Sequence, residues 1–106
     1  MKIVFMGTPE FSVPALMSLY YGGIDISLVI TQQDKPKGRG KKMQFTPVKE
    51  KALELGLEVI QPINVNDQNV VTRLREINPD FIVVVAYGQI LRKEILDIPK
   101  FHCLNI

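Results

Sequence analysis

Phe81-Ile82-Val83-Val84-Val85-Ala86 is an uninterrupted apolar run with four β-branched residues at its centre, and Tyr87-Gly88 closes it. A strand with one wet face would alternate polar and apolar residues. A continuous run is what a strand needs when helices cover both faces of its sheet, and this points to parallel pairing. Upstream, Asn78-Pro79 stops a predicted helix capped by Asp67, in which Val70, Val71, Leu74 and Ile77 recur at helical spacing. Before it, Leu57 to Ile60 read as a strand. Thr46 and Pro47 open a further helix with Val48, Ala52 and Leu55 inward and Gly56 at its exit. Ile26 to Thr31 make another strand. The first helix is expected to be capped by Ser12, with Pro14 in its first turn, an apolar face of Val13, Leu16, Met17 and Tyr20, and Gly22-Gly23 at its end. Ile3-Val4-Phe5-Met6 forms the opening strand, stopped by Gly7 and Pro9. Downstream of the central run, a short helix is expected over Leu91 to Leu96, and a last strand over Phe101 to Ile106.

Strand–helix units in series give an α/β fold with a doubly wound, mostly parallel Rossmann-like sheet. The expected strand order is 3-2-1-4, with the last strand beyond the fourth. Sheets of this kind bind ligands beyond the carboxyl ends of their strands, where the order reverses. That point lies between the first and fourth strands. It nominates the loops Gly7-Thr8-Pro9-Glu10-Phe11 and Tyr87-Gly88-Gln89-Ile90-Leu91.

Composition agrees with one domain. The chain has 106 residues, 46% of them hydrophobic, which is enough for a core without staples. No uncharged apolar run approaches the ~20 residues that span a bilayer. The start passes from strand-like residues into Gly7-Thr8-Pro9-Glu10 without a secretory pattern, so a soluble, cytoplasmic protein is expected. A single cysteine, Cys103, excludes an internal disulfide framework and a multi-cysteine zinc site. The formal net charge of +2 is unevenly spread: residues 34–51 hold seven cations and two anions, +5, and the remainder six cations and nine anions, −3.

Several motifs can be tested against their chemistry. A dinucleotide site needs G-x-G-x-x-G after the first strand; here Gly7 stands alone, Pro9 lacks an N–H, and Glu10 would repel a phosphate. No P-loop is present. His102 and Cys103 cannot pair as base and nucleophile on a strand, because neighbouring side chains point to opposite faces; Cys103 reads as a small core residue and His102 as a sheet-end residue. Residues 33–42 carry Lys35, Lys37, Arg39, Lys41 and Lys42 with Pro36, Gly38 and Gly40. This is expected to be a long mobile surface loop, either a solvated face or a contact for nucleic-acid phosphates. Asn105, a residue type depleted in strands, is either a strand-end turn former or an amide donor for a developing oxyanion.

Taken together, Ile3-Val4-Phe5-Met6-Gly7-Thr8-Pro9-Glu10-Phe11, the Gly38-Arg39-Gly40-Lys41-Lys42 and Thr46-Pro47-Val48-Lys49 segments, Val83 to Leu91, and Cys103-Leu104-Asn105-Ile106 resemble the methionyl-tRNA formyltransferases. The resemblance covers the whole chain in order. It implies the formyltransferase fold, with residues 1–106 forming the amino-terminal part of a catalytic domain. The sheet would then be incomplete at its carboxy-terminal end, and the rest of the domain and a tRNA-binding domain would be absent.

The resemblance also implies a reaction: transfer of a formyl group from 10-formyltetrahydrofolate to the amino group of methionyl initiator tRNA, without a metal. Asn105 matches the catalytic Asn of the family. The family His falls just after Ile106, and its Asp and a Ser-Leu-Leu-Pro folate segment fall further on, so this stretch alone is expected to be inactive. Gly88, Gln89, Ile90 and Leu91 match the folate-binding loop. Gly7, Thr8, Pro9, Glu10 and Phe11 would border the methionyl end. Lys35, Lys37, Arg39, Lys41 and Lys42 would meet tRNA. The whole enzyme is expected to be a monomer, and residues 1–106 alone to self-associate through an exposed sheet edge. A sister formyltransferase acting on an amino sugar, or a non-catalytic RNA-binding module, are the alternatives.

Overall fold

The computed structural model describes residues 1–40 and 42–106, so the expectation for Lys41 lies outside the described residues. Five strands form one parallel sheet: β1 (Lys2–Gly7), β2 (Asp25–Ile30), β5 (Val59–Ile60), β6 (Phe81–Val85) and β7 (His102–Asn105). Their order is β5-β2-β1-β6-β7, the arrangement expected from the sequence. β1 and β6 run at the centre in register, from Ile3 beside Phe81 to Gly7 beside Val85.

The β-branched run is buried because helices lie on both sides. Val4, Met6, Leu28, Ile30, Ile82 and Val84 point to one layer with Val70, Val71 and Leu74 of α3 (Gln68–Ile77) and Ile95 of α4 (Lys93–Leu96). Ile3, Phe5, Ile26, Val29, Val83 and Val85 point to the other, against Val13 and Leu16 of α1 (Val13–Tyr21) and Val48 and Ala52 of α2 (Pro47–Glu54). The alternation of the pleat thus sends successive residues of one apolar strand into two cores.

Local signals mostly act as read. Thr46 caps α2, its Oγ1 accepting from the Lys49 N–H at 3.1 Å, and Pro47 follows in the first turn. Asn78 ends α3 in the left-handed region at φ 53°. Four expectations need correction. Asp67 stands at the N-cap of α3 in extended backbone, but its side chain makes no capping hydrogen bond. Ser12 does not cap α1: it ends a 3₁₀ turn (Glu10–Ser12), and its buried hydroxyl donates to the carbonyl of Val85. Tyr20 does not join the inward face of α1; it is 36% exposed and meets the edge of Tyr21. The basic segment is not an open loop, because Lys35–Lys37 (β3) and Lys42–Gln44 (β4) pair antiparallel as a hairpin. Lys35 stands opposite Gln44 and Lys37 opposite Lys42, with glycines left to the turn. Among the described residues, no helix is long and apolar enough to cross a membrane.

Candidate functional site

The carboxyl ends of β1, β2 and β6 meet at Thr8. Its Oγ1 donates to the Tyr87 carbonyl at 2.6 Å and accepts from the Gln32 N–H at 3.3 Å, and its own carbonyl accepts from the Val48 N–H at 3.3 Å. One threonine therefore joins the loop after β1 to the loop after β6, the exit of β2 and the start of α2. The approach is close: a Cβ added at Gly7 would lie 2.9 Å from both Ser12 Cβ and the Val85 carbonyl. The sequence-nominated Gly7–Phe11 loop is thus packed against β6 at its first residues, whereas Glu10 and Phe11 turn outward and Phe11 is 74% exposed.

The loop after β6 is held by side chains. Gln89 Nε2 donates to Gln32 Oε1 at 2.9 Å and reaches the carbonyls of Pro62 and Ile63, while its Oε1 accepts from the Val65 N–H at 2.7 Å. Asn66 Nδ2 donates to the Ile90 carbonyl, and Asn66 Oδ1 accepts from the Arg92 N–H at 2.8 Å. Gly88 takes φ +111°, and any Cβ there would stand 2.7 Å from Gln32 Nε2. Of the four loop residues singled out, Leu91 packs on the core and Gln89 is engaged in positioning; Ile90, 86% exposed, presents its side chain to solvent beside Gly88.

A second polar chain runs from this edge to the hairpin. Gln61 Nε2 donates to the Gln32 carbonyl at 3.0 Å and to Asp34 Oδ1 at 2.7 Å, and Lys49 Nζ lies 3.0 Å from Asp34 Oδ2. The Gln61 hydrogen bond, with the Lys49 ammonium adding to it, holds the Asp34 carboxyl below its ordinary pKa against a partial desolvation. Lys49 also lies over the Phe45 ring, 3.8 Å from its centroid.

Among the described residues, Lys49 and Lys51 form ion pairs, with Asp34 and Glu54, whereas Lys35, Lys37, Arg39 and Lys42 form none. These four stand exposed on the hairpin and its turn. Between the hairpin and the sheet edge opens a cavity of about 280 Å³, bordered by Thr8, Gln32, Lys37, Gln44, Phe45 and Thr46 among others.

Asn105 ends β7, exposed, beside Val84 and thus near the carboxyl edge. The next N–H, from Ile106, donates to the Val84 carbonyl at 2.8 Å and fixes the strand end. His102 pairs with Phe81 at the opposite end of the same strand, and Cys103 is half-buried against the core. Cys103 faces the core while His102 is exposed, and His102 stands away from the edge that carries the other candidates. Among the described residues, no group of three His, Cys, Asp or Glu side chains is placed to hold a metal ion.

Sequence reading missed Gln32, Gln61, Asp34 and Phe45. The only available signal was that Thr31-Gln32-Gln33-Asp34 follows β2, itself a neighbour of β1, so its loop also opens on the carboxyl edge. Gln32, Gln61 and Phe45 lie outside both the two loops at the reversal point and the basic segment 33–42, and Asp34 lies within that segment as an anion among cations.

The family described as formyl transferase matches residues 1–106. A methionyl-tRNA formyltransferase of Clostridium acetobutylicum is 58% identical over 107 residues, and those of Agathobacter rectalis and Clostridioides difficile are 53% identical over 106. Each match covers 100% of this chain and 34% of the relative, so the chain spans about a third of the length of the curated relatives it matches. Glycinamide ribonucleotide transformylase 1 from Symbiobacterium toebii superposes with a TM-score of 0.64 over 98% of this chain and 49% of that one, at 15% identity, a likeness of fold.

Proposed function

The chain belongs to the formyl transferase family, and from that premise we propose that it serves the formylation of methionyl initiator tRNA in the cytoplasm, with 10-formyltetrahydrofolate as formyl donor. The observation that carries this reading is the 53–58% identity, along the whole chain, to proteins bearing that one activity in their names. The geometry is compatible with it, since Asn105 and the two loops share the carboxyl edge.

The chemistry joins the methionyl amine to the formyl carbon and breaks the donor's nitrogen–carbon bond; the amine loses one proton and the leaving nitrogen takes one up, so the transfer is balanced. Asn105 Nδ2 would donate to the formyl oxygen as it becomes anionic. Ile90 and the backbone of Gly88 would border the donor, with Gln89 positioning the loop rather than touching the ligand. The Gly7–Phe11 loop would border the methionyl end, with Thr8 fixing its position. Lys35, Lys37, Arg39, Lys41 and Lys42 would engage the tRNA backbone. Proton removal belongs to a titratable group near neutral pH. We assign it to the histidine that follows the Asn by two positions in the family pattern, outside this chain.

In the complete polypeptide that carries this chain, Asn105→Ala is expected to lower kcat by about 10²–10³, the usual effect of deleting one oxyanion donor, with little change in tRNA affinity. Failure of the complete polypeptide to formylate methionyl-tRNA, with formylation of an amino-sugar nucleotide instead, would overturn the reading in favour of a sister enzyme.

A further inference from the structure

The cavity between the hairpin and the sheet edge has a composition that the reaction above does not use. At about 280 Å³ it lies at the lower limit of ligand-sized pockets, which run from about 300 Å³ upward. That is room for one planar ring system, not for a folate with its tail. Phe45 lines it, 45% exposed, with the Lys49 ammonium over the ring. The neighbouring Thr46 is anchored below by a 2.7 Å hydrogen bond between its hydroxyl and that of Thr31, both buried. An aromatic ring is therefore held at the wall of the pocket rather than left to swing in solvent.

The remaining lining is chemically one-sided. Gln33 and Gln44 bring side-chain amides that make no hydrogen bond among the described residues, and the Gln32 amide is oriented by Gln89. Lys35 and Lys37 line the cavity as well, and among the described residues no acidic side chain does. A held aromatic face, free amides that both donate and accept, and unpaired ammonium groups correspond to the π-face, the edge and the phosphate of a nucleotide.

We propose that this cavity receives one unpaired nucleobase of the RNA substrate, stacked on Phe45, with its edge read by Gln33 and Gln44 and its phosphate held by Lys35 and Lys37. The inference rests on the tRNA reading given above. It deepens that reading by adding a base-binding pocket to the phosphate contacts of the hairpin.

The test uses the complete polypeptide and an acceptor-stem RNA minihelix with a 3′ single-stranded end, into which 2-aminopurine is placed at one position at a time. Wild type and Phe45→Tyr are expected to quench the probe at one position by stacking. Phe45→Ala is expected to lose that quenching and to bind about 10-fold more weakly, the scale of one base on an aromatic ring. Gln44→Ala, at an exposed position, is the second variant, expected to weaken binding about threefold without changing the melting temperature.

Undiminished quenching in Phe45→Ala, or binding within twofold of wild type in both alanine variants, would overturn the pocket while leaving the tRNA reading standing. No binding of the minihelix by wild type would overturn both. Quenching of free 2-aminopurine ribonucleotide as strong as that of the strand would also overturn it, assigning the cavity to a free nucleotide.

Discussion

Tyr87 is 2% exposed, and its hydroxyl has no hydrogen-bond partner among the described residues, although its carbonyl anchors Thr8. The backbone of this residue serves the site and its ring serves the core, in the layer of Val84, Leu74 and Ile95. A buried hydroxyl without a partner costs roughly 1–3 kcal/mol. Tyr87→Phe is therefore expected to stabilise the fold by about 1 kcal/mol after allowing for the small void left behind. For a chain of this size that is about 4–8 °C in Tm, readable by thermal unfolding. The pH dependence gives an independent check. Burial pushes the phenol up to about 12 from its ordinary 10.0, so between those values the unfolded chain has lost the proton that the folded chain retains. Stability is then present in full below pH 10 and falls as pH rises through about 12. Phe has no such proton, so the difference between the two proteins should widen over that alkaline window. A Tyr87→Phe protein that melts lower than wild type would show that the hydroxyl is paired in solution.

At the scale of elements, the basic segment becomes specific because its base is fixed. Asp34 receives Gln61 and Lys49, which ties the entry of the hairpin to the exit of β5 and to α2. The cations left unpaired stand on a short β-ribbon of set direction. Arg39, in its turn, is one of the cations proposed to meet tRNA, and on that proposal Arg39→Ala in the complete polypeptide should lower kcat/KM for methionyl-tRNA while leaving the folate KM within about twofold. Its dependence on salt should also flatten, by about one unit in the log–log slope, as one phosphate contact is lost. Equal losses for both substrates would refute the assignment. The sequence showed the strand order and the layers because each rests on a run or a period: Phe81 to Val85 for the centre, and Val70, Val71, Leu74 and Ile77 for α3. It did not show the hairpin, whose strands are three residues each and fully exposed, and so carry no alternation to detect. Nor did it show that Ser12 bonds Val85, or that Gln89 bonds Gln32. These pairs are 73 and 57 residues apart, and side-chain hydrogen bonds of that separation leave no local pattern. The role proposed for Asn105 rests on family resemblance alone, since its type and place in the strand left two readings open.

Across the whole molecule the two ends of the sheet divide the work. The carboxyl end carries exposed loops, cations and the cavity, whereas the amino end is closed by a compact set of bonds around Asp80. Its carboxylate accepts from the Lys2 N–H at 2.8 Å, its own N–H donates to the Lys2 carbonyl, and its carbonyl accepts from the Phe101 N–H. Three strands adjacent in the sheet, β1, β6 and β7, are thereby joined at their starts across nearly the full length of the chain. The Lys2 hydrogen bond, with Lys100 and the amino terminus adding positive charge nearby, holds the Asp80 carboxyl below its ordinary 3.8. A carboxylate whose folded pKa is depressed contributes stability that is present above the unfolded value and is lost as pH falls through the folded one. Asp80→Asn keeps the shape and the backbone bonds but removes the charge. It is expected to lower Tm at pH 7, to lower it progressively less below pH 4, and to converge on wild type in strong acid. Because Asp80 lies at the end of the sheet remote from Thr8 and Asn105, minihelix binding by the folded variant at neutral pH should match wild type. A Tm deficit that persists undiminished at the acid limit would mean that Asp80 acts through shape alone, and a loss of RNA binding in the folded protein would mean that the two ends of the sheet are coupled.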